Sequence, residues 1–253
     1  FWGVGTIVSA FVMSYALTHS VWNNGYRIVG FIQLGIALLL LVTLPVWNVN
    51  RQKAEESGKT VGLLGALRIR GVPTLLLSFF AYCAAEATAM GWASTYMVEV
   101  KGVGPESAAR FASLFYIGIT AGRFLSGFVT NRLGDRNMIR LGTCVLSCGI
   151  LLLLLPTAEP AVTFAGFIVI GFGCAPIYPC IIHSTPDNFG AENSGAIIGI
   201  QMASAYVGNL TMPPLFGLLA NNVTPALFPF YLLVFLVLMA LMHRQLVRKT
   251  AHI

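Results

Sequence analysis

Charged residues are scarce in this sequence. Asp, Glu, Lys and Arg together make up only 9% of the 253 residues, whereas 57% of the residues are hydrophobic. A water-soluble domain carries roughly a quarter charged residues, so this chain cannot cover a water-facing surface with polar side chains. The mean hydropathy of +0.79 agrees. We therefore expect an all-α membrane protein that crosses the bilayer several times.

The chain also lacks the motifs of common enzymes. It has no Walker motif, no H-E-x-x-H and no nucleophile elbow, and its Ser, His and acidic residues are scattered along the chain. These absences argue against an enzyme and against a metal or an organic cofactor. The net charge of +6 would suggest nucleic acid in a soluble protein. Here the basic residues lie between apolar runs, so we expect no nucleic-acid partner.

Cysteines with paired spacing in a loop are absent too. All five cysteines fall within apolar segments, which predicts small apolar packing residues rather than disulfides or metal ligands. They are Cys83, Cys144, Cys148, Cys174 and Cys180.

What the sequence does contain is a series of apolar segments of bilayer length. A membrane-spanning helix needs about 20 apolar residues. The chain begins within the first segment, without Met or a charged leader, which is typical of neither a signal peptide nor a natural start. We predict eight spans, at about 1–18, 28–47, 72–98, 108–130, 139–157, 162–183, 195–219 and 226–242.

The longest polar segment divides these spans into two and six. Secondary transporters are often built from two related halves, so this division suggests a protein of twelve helices that has lost its first four. We accordingly predict four regions. They are the last two helices of an N-terminal bundle (1–47), a cytoplasmic linker (48–71), a six-helix C-terminal bundle (72–243) and a cytoplasmic tail (244–253).

The basic residues set the expected orientation. Eleven Lys and Arg residues fall on the side of the long loop and the tail, and three fall on the other side. Cytoplasmic loops carry an excess of Lys and Arg. We therefore predict a multi-pass protein of the cell membrane with a cytoplasmic C-terminus.

One loop carries a recognisable pattern, in the segment AGRFLSGFVTNRLGDRNMIRLG. Its glycines at 122, 127 and 134 permit close helix approach and a tight turn. The pattern resembles the major facilitator superfamily signature G-x-x-x-D-R-x-G-R-[RK], although Asp135 stands where an Arg is usual. The alternative is an ordinary basic turn. The matching positions are Gly127, Asn131, Arg132, Gly134 and Arg136, with Asn131 replacing the usual acid.

A second segment, GFGCAPIYPCIIHSTPDNFGAENSGAIIGIQMASAYVGNLTMPPLFGLLA, resembles the tenth and eleventh helices of the fucose-permease-like branch of that superfamily. The resemblance makes this chain the fifth to twelfth helices of such a protein, and it implies proton-coupled symport of a sugar. Glycine and proline at membrane depth suit helices that move past one another, although plain packing is the alternative. The gating candidates are Gly171, Gly173, Pro176, Pro179 and Gly199.

Glu86 is the only acidic residue that we place inside a span. An acid at bilayer depth is costly and therefore indicates a functional site. We predict that Glu86 carries the coupling proton, the alternative being a permanently protonated side chain bonded to a carbonyl. Arg123 lies within another span, but a depth difference of roughly 10 Å at 1.5 Å per residue argues against pairing. We expect Arg123 to extend towards the cytoplasmic edge instead.

The predicted solute cavity is lined from two spans. Trp92 lies about 120° round the helix from Glu86, so it reaches the cavity only if the helix unwinds near Gly91. Hydrogen bonding between helices is the alternative role for the polar members of the set. The cavity candidates are Tyr82, Trp92, Tyr96, Gln201 and Asn209.

These observations together predict a secondary active transporter. It would move a small polar solute, such as a sugar, by proton-coupled alternating access, and it would act as a monomer in the bilayer with the proton as its only coupling ion. A drug or metabolite antiporter and a non-transporting membrane receptor are the alternatives.

Overall fold

The structure is a computed structural model, and it describes residues 21–45, 62–156 and 159–250 together with isolated positions before residue 21. All regular secondary structure in these ranges is helical, which confirms the predicted all-α membrane class. The helices are α1 (Trp22–Val42), α2 (Leu63–Arg68), α3 (Val72–Glu99), α4 (Pro105–Leu133), α5 (Asp135–Leu154), α6 (Pro160–His183), α7 (Thr185–Phe189), α8 (Ala191–Asn222) and α9 (Phe228–Thr250).

The chain divides into two compact units, Phe1–Lys59 and Thr60–Ile253. In the described part of the first unit, α1 begins six residues before the predicted second span. Apart from isolated positions, the predicted first span lies outside the described residues, and so does most of the predicted linker.

Five of the described helices are long and apolar enough to cross a membrane, and they correspond to α1, α3, α5, α6 and α9. The two longest helices are α4, with 29 residues, and α8, with 32 residues. Both are long enough to cross a membrane, but they do not meet the combined requirement for high apolarity and few charged residues that the other five meet. Each is longer than its predicted span.

The second unit is built around two central helices. α3 packs against α8 and α9, and α6 packs against α4 and α5. Contacts of α3 with α4 and of α5 with α9 join the two groups. The buried core is dominated by Phe, Leu, Ile and Ala, as expected for helices that bury apolar faces against each other.

Glycines bring α6 into contact with its neighbours. A Cβ atom at Gly171 would collide with the carbonyl oxygen of Phe115 on α4, and one at Gly173 would collide with the backbone of Leu146 on α5. At Gly122, a Cβ atom would lie 2.5 Å from that of Ala175. These positions confirm close helix approach. Gly127 was wrongly assigned to this role, because nothing described lies within 4 Å of its Cβ position.

Pro176 and Pro179 lie inside α6, which continues through both of them to His183. Pro176 cannot donate a hydrogen bond to the carbonyl of Phe172, four residues earlier. That carbonyl oxygen lies 3.0 Å from the Cβ position of Gly122, so the freed group is packed against α4. Backbone groups freed by proline at membrane depth are tolerated where they face protein. Gly199, in contrast, has nothing described within 4 Å of its Cβ position.

The predicted tight turn is present at Gly134, which separates α4 from α5 and has a φ of +73°. Glycine adopts this left-handed region without steric cost. Arg132 lies in the last turn of α4, where a positive charge complements the helix dipole.

Candidate functional site

Glu86 of α3 and Arg123 of α4 form an ion pair, with 3.7 Å between Glu86 Oε1 and Arg123 Nη2. Our prediction that they would not pair was wrong, because α4 extends three residues beyond the predicted span. Glu86 lies fourteen residues after Val72, and Arg123 lies ten residues before Leu133. The depths of Glu86 and Arg123 therefore differ by four helical residues, or roughly 6 Å at 1.5 Å per residue. An extended arginine side chain can bridge this difference.

Both members of the pair are largely shielded. The exposed fraction of the side chain is 12% for Glu86 and 28% for Arg123. Removing two charges from water is costly, and their attraction offsets that cost only while both are present. Glu86 thus faces another helix of the bundle rather than lipid.

Arg123 also lines a cavity of about 420 Å³ between α4 and α6. The cavity follows one face of α4 from Arg123 to Asn131, eight residues or roughly 12 Å at 1.5 Å per residue. Gly127 lies on this face, where its missing side chain leaves the cavity open. The other described lining residues are Ser126, Thr130, Asp135, Tyr178, Pro179, Cys180 and His183.

Asp135 and His183 lie beside each other at the helix ends that border this cavity. The distance between His183 Nδ1 and Asp135 Oδ2 is 2.7 Å, so the turn between α4 and α5 is bonded to the end of α6. Asp135 is the residue that departs from the superfamily pattern. In the same turn, Arg136 donates to Asn188 Oδ1 at 3.4 Å.

The two tyrosines predicted to line the solute cavity are instead buried between helices. The Tyr82 hydroxyl donates to the carbonyl of Cys174 at 2.9 Å, and the Tyr96 hydroxyl donates to the carbonyl of Leu153 at 3.1 Å. A buried hydroxyl requires a hydrogen-bond acceptor, and in both cases a neighbouring helix provides it. Neither tyrosine lines the cavity at Arg123.

Trp92 is also held by packing. The α3 helix is continuous through Gly91, so the unwinding that would have turned Trp92 towards the cavity is not observed in the described structure. Its Nε1 donates to the carbonyl of Pro213 at 3.0 Å, and its ring meets that of Phe216 edge-on. Trp92 therefore joins α3 to α8.

The two polar candidates on α8 differ from each other. Gln201 is fully buried, and its Oε1 accepts a hydrogen bond from Thr185 at 3.2 Å. This contact corresponds to the alternative role in which the amide joins helices. Asn209 is exposed on the surface of the second unit.

Sequence reasoning missed Arg123, Asp135 and His183 as members of the site. The available signal was an arginine inside a predicted span, which is as costly as an acid at that depth. The contact of Asp135 with His183 joins residues 48 positions apart, and no local pattern indicates it.

A helical bundle with an internal ion pair beside an elongated cavity is typical of a membrane transport protein. The family model of the Major Facilitator Superfamily matches residues 1–210 and 75–251. The chain belongs to the major facilitator superfamily. The family and the names of its relatives are those of transporters, which confirms the prediction that the chain is not an enzyme.

Two curated relatives and two solved structures illustrate the similarity. An uncharacterised MFS-type transporter of Yersinia pestis is 23% identical over 54% of this chain and 35% of its own length. A probable nitrate/nitrite antiporter of Thermus thermophilus is 24% identical over 85% of this chain and 52% of its own.

A point variant of the E. coli fucose:proton symporter FucP has a TM-score of 0.62 at 14% identity over 75% of this chain and 47% of its own length. FucP in the outward conformation has a TM-score of 0.68 at 16% identity over 88% of this chain and 54% of its own. At these identities the solved structures define the fold alone. The chain spans about half the length of the relatives that it matches most fully.

Proposed function

We propose that this chain is the larger part of a secondary active transporter that moves a small polar solute by proton-coupled alternating access. The observation that carries the proposal is the ion pair between Glu86 and Arg123 beside an elongated cavity. A buried pair of this kind is weak evidence for stability, and ionisable residues at membrane depth commonly mark solute and proton pathways.

In the proposed mechanism, Glu86 and Arg123 exchange partners during the cycle. While Glu86 is ionised, it neutralises Arg123 across the interface of α3 and α4. When Glu86 takes up a proton, it stops being a counter-ion, and the Arg123 guanidinium becomes available to polar groups in the cavity. A solute that binds Arg123 therefore favours the protonated carboxyl, which couples the two binding events by mutual linkage.

Gly122, Gly171 and Gly173 would allow α4, α5 and α6 to shift against each other during this cycle, because their backbones already touch. Asn209, which is exposed, remains our candidate for a solute contact outside the cavity at Arg123. We further propose that the C-terminus lies on the cytoplasmic side of the cell membrane, because the basic residues are concentrated on that side. We also propose that the protein functions as a monomer.

The similarity of the fold to FucP, a fucose:proton symporter, supports a sugar as the solute. The similarity to a probable nitrate/nitrite antiporter favours a second candidate, a small anion, because Arg123 offers a planar set of donors that suits oxyanions. A drug or metabolite antiporter would share the scaffold and differ in its solute.

The test is transport into proteoliposomes that contain the natural protein with this chain. A pH gradient, acidic outside, should drive accumulation of one labelled solute among a panel of monosaccharides and nitrate. Glu86→Gln should abolish the dependence on the gradient, since the amide cannot release a proton. The matched control is Glu99→Gln, an exposed acid on the same helix, which should transport normally. Gradient-driven uptake that survives Glu86→Gln would overturn the coupling role.

A further inference from the structure

A second cavity, of about 390 Å³, lies between α5 and α9 and is lined by three arginines. Arg140 projects from α5, and Arg244 and Arg248 project from α9. The remaining described lining residues are Thr143, Ala240, His243 and Val247, so no acidic side chain of the described structure offsets these charges within the lining. It shares no lining residue with the cavity at Arg123, and a third cavity, which includes Asp135 and Asp187, shares Arg140 and Val247 with it.

His243 makes this cavity a site with unused hydrogen-bonding capacity. Its exposed fraction is only 8%, yet neither Nδ1 nor Nε2 has a hydrogen-bond partner among the described residues. Leaving a buried polar group unpaired is costly, so buried groups of this kind are normally bonded. His243 lines the same cavity as the three arginines, and the N–H of an imidazole is suited to an anionic oxygen.

The surfaces that lead away from the arginines are apolar. On α9, Val234, Val237 and Leu241 share the face of Arg244 and are 63%, 48% and 51% exposed. On α5, positions 144, 148 and 151 continue the face of Arg140, and both cysteines among them are exposed. Leu151 is 57% exposed. α5 and α9 pack together, so these exposed apolar faces belong to the same two helices that line the basic cavity.

We infer that this cavity binds the phosphate headgroup of an anionic lipid, whose acyl chains lie along the exposed apolar faces of α5 and α9. Arginine forms paired hydrogen bonds with phosphate oxygens, and basic pockets at the ends of membrane helices suit lipid headgroups. Free phosphate shares the headgroup chemistry, but it would not use the exposed apolar faces. The inference depends on the chain being embedded in a membrane and not on the identity of its solute.

The experiment measures lipid binding to the purified protein in a neutral detergent by native mass spectrometry. The probes are dioctanoyl phosphatidylglycerol, dioctanoyl phosphatidylcholine and inorganic phosphate. We expect the phosphatidylglycerol to bind at least tenfold more tightly than the phosphatidylcholine, and millimolar phosphate not to displace it. Displacement by phosphate would identify a free anion as the ligand and overturn the lipid assignment.

The variants distinguish lipid binding at this cavity from attraction to positive charge elsewhere on the surface. The triple variant Arg140→Gln, Arg244→Gln and Arg248→Gln should weaken phosphatidylglycerol binding at least tenfold, since each arginine near a headgroup contributes about fivefold. The matched control, Arg68→Gln, Arg70→Gln and Arg132→Gln, removes the same charge from exposed positions at the same end of the bundle. Equal loss in both triple variants would overturn the proposal.

His243→Phe gives an independent readout, because it keeps a ring and removes both nitrogens. It should weaken phosphatidylglycerol binding several-fold and leave phosphatidylcholine binding unchanged. The melting temperature without lipid shows whether each variant folds. Full phosphatidylglycerol affinity in a folded His243→Phe protein would exclude the imidazole from the site.

Discussion

Glu86 Oε1 and Arg123 Nη2 lie 3.7 Å apart and join α3 to α4 inside an apolar bundle. At this distance the contact is an ion pair rather than a direct hydrogen bond, for which the separation is about 2.7–3.2 Å. An ion pair without a tight hydrogen bond can open and close at low cost. This property is what the proposed transport cycle requires.

The pair should respond differently to single and double substitution. Arg123→Gln should lower the free energy of unfolding by up to about 3–5 kcal/mol, discounted for the partial exposure of both side chains, because Glu86 is left without its counter-ion. Adding Glu86→Gln should recover most of that stability, since both side chains are then neutral. Thermal unfolding in detergent measures the cycle.

Transport by the double variant then distinguishes stability from function. We expect the double variant to be stable and to lack gradient-driven uptake in proteoliposomes. A double variant that is as unstable as Arg123→Gln alone would show that the two charges do not interact energetically.

Close packing of α6 predicts a graded response to glycine substitution. Gly171→Ala should lower the free energy of unfolding by about 1–3 kcal/mol, because the added methyl group collides with the backbone of α4 at Phe115. Chemical or thermal denaturation in detergent measures the effect.

Gly199→Ala is the matched control, because its Cβ position is open. It should be neutral or stabilising by up to about 1 kcal/mol through higher helix propensity. Equal destabilisation by both substitutions would contradict the observed packing.

The buried tyrosines predict loss of stability, which at Tyr96 comes without loss of solute affinity. Tyr82→Phe and Tyr96→Phe each remove one hydrogen bond to a helix carbonyl, which should cost about 0.5–1.5 kcal/mol. For Tyr96→Phe, the KM for solute should stay within about twofold, because its hydroxyl faces neither the cavity at Arg123 nor Glu86, with which the Tyr82 side chain interacts. Initial rates of uptake measure it.

Asn209→Ala is the comparison, since its side chain is exposed on α8 and was predicted to contact solute. It should raise KM and leave the melting temperature unchanged. If Tyr96→Phe raises KM and Asn209→Ala does not, the cavity assignments are reversed.

The bond between Asp135 and His183 predicts an effect on the transport rate rather than on stability. Asp135→Asn should weaken the link between the turn at Gly134 and the end of α6, where the His183 side chain is 77% exposed. His183 is solvated whereas Asp135 is only 11% exposed, so we expect solvent to weaken the contact and the melting temperature to change only a little. Turnover in proteoliposomes should fall, because the link joins two helix ends that border the cavity at Arg123.

His183→Gln should reproduce the effect of Asp135→Asn, and the double variant should add nothing further. Additive losses from the two substitutions would show that these residues act separately. The control is Glu192→Gln, an exposed acid near the start of α8 that lies outside the cavity at Arg123.

Several features could be predicted because they depend on local composition. The helical class follows from apolar segments of bilayer length, and the turn follows from Gly134 between two such segments. The family followed from the motif around Gly127, Arg132 and Gly134, and the match to the superfamily model confirms it. The predicted helix ends were less accurate, because α4 and α8 continue through polar residues beyond their apolar stretches.

The side-chain partners could not be predicted in the same way. We wrongly rejected the pair between Glu86 and Arg123 because we underestimated the length of α4. Three additional residues at the end of a helix change the depth that is calculated for every residue counted from that end. The aromatic candidates were placed in a cavity because they lie near Glu86 in the sequence. Their hydroxyl and indole groups in fact bond to carbonyls on α5, α6 and α8.

By itself, the sequence determined that this chain lies in a membrane as a bundle of helices of the major facilitator superfamily, because apolarity and helix length are properties of contiguous residues. Only the tertiary structure decided which buried charge meets which, and which faces of α4, α5 and α9 border open space. Those relationships depend on the depth and rotation of helices that are distant in the chain, and no local pattern specifies either quantity.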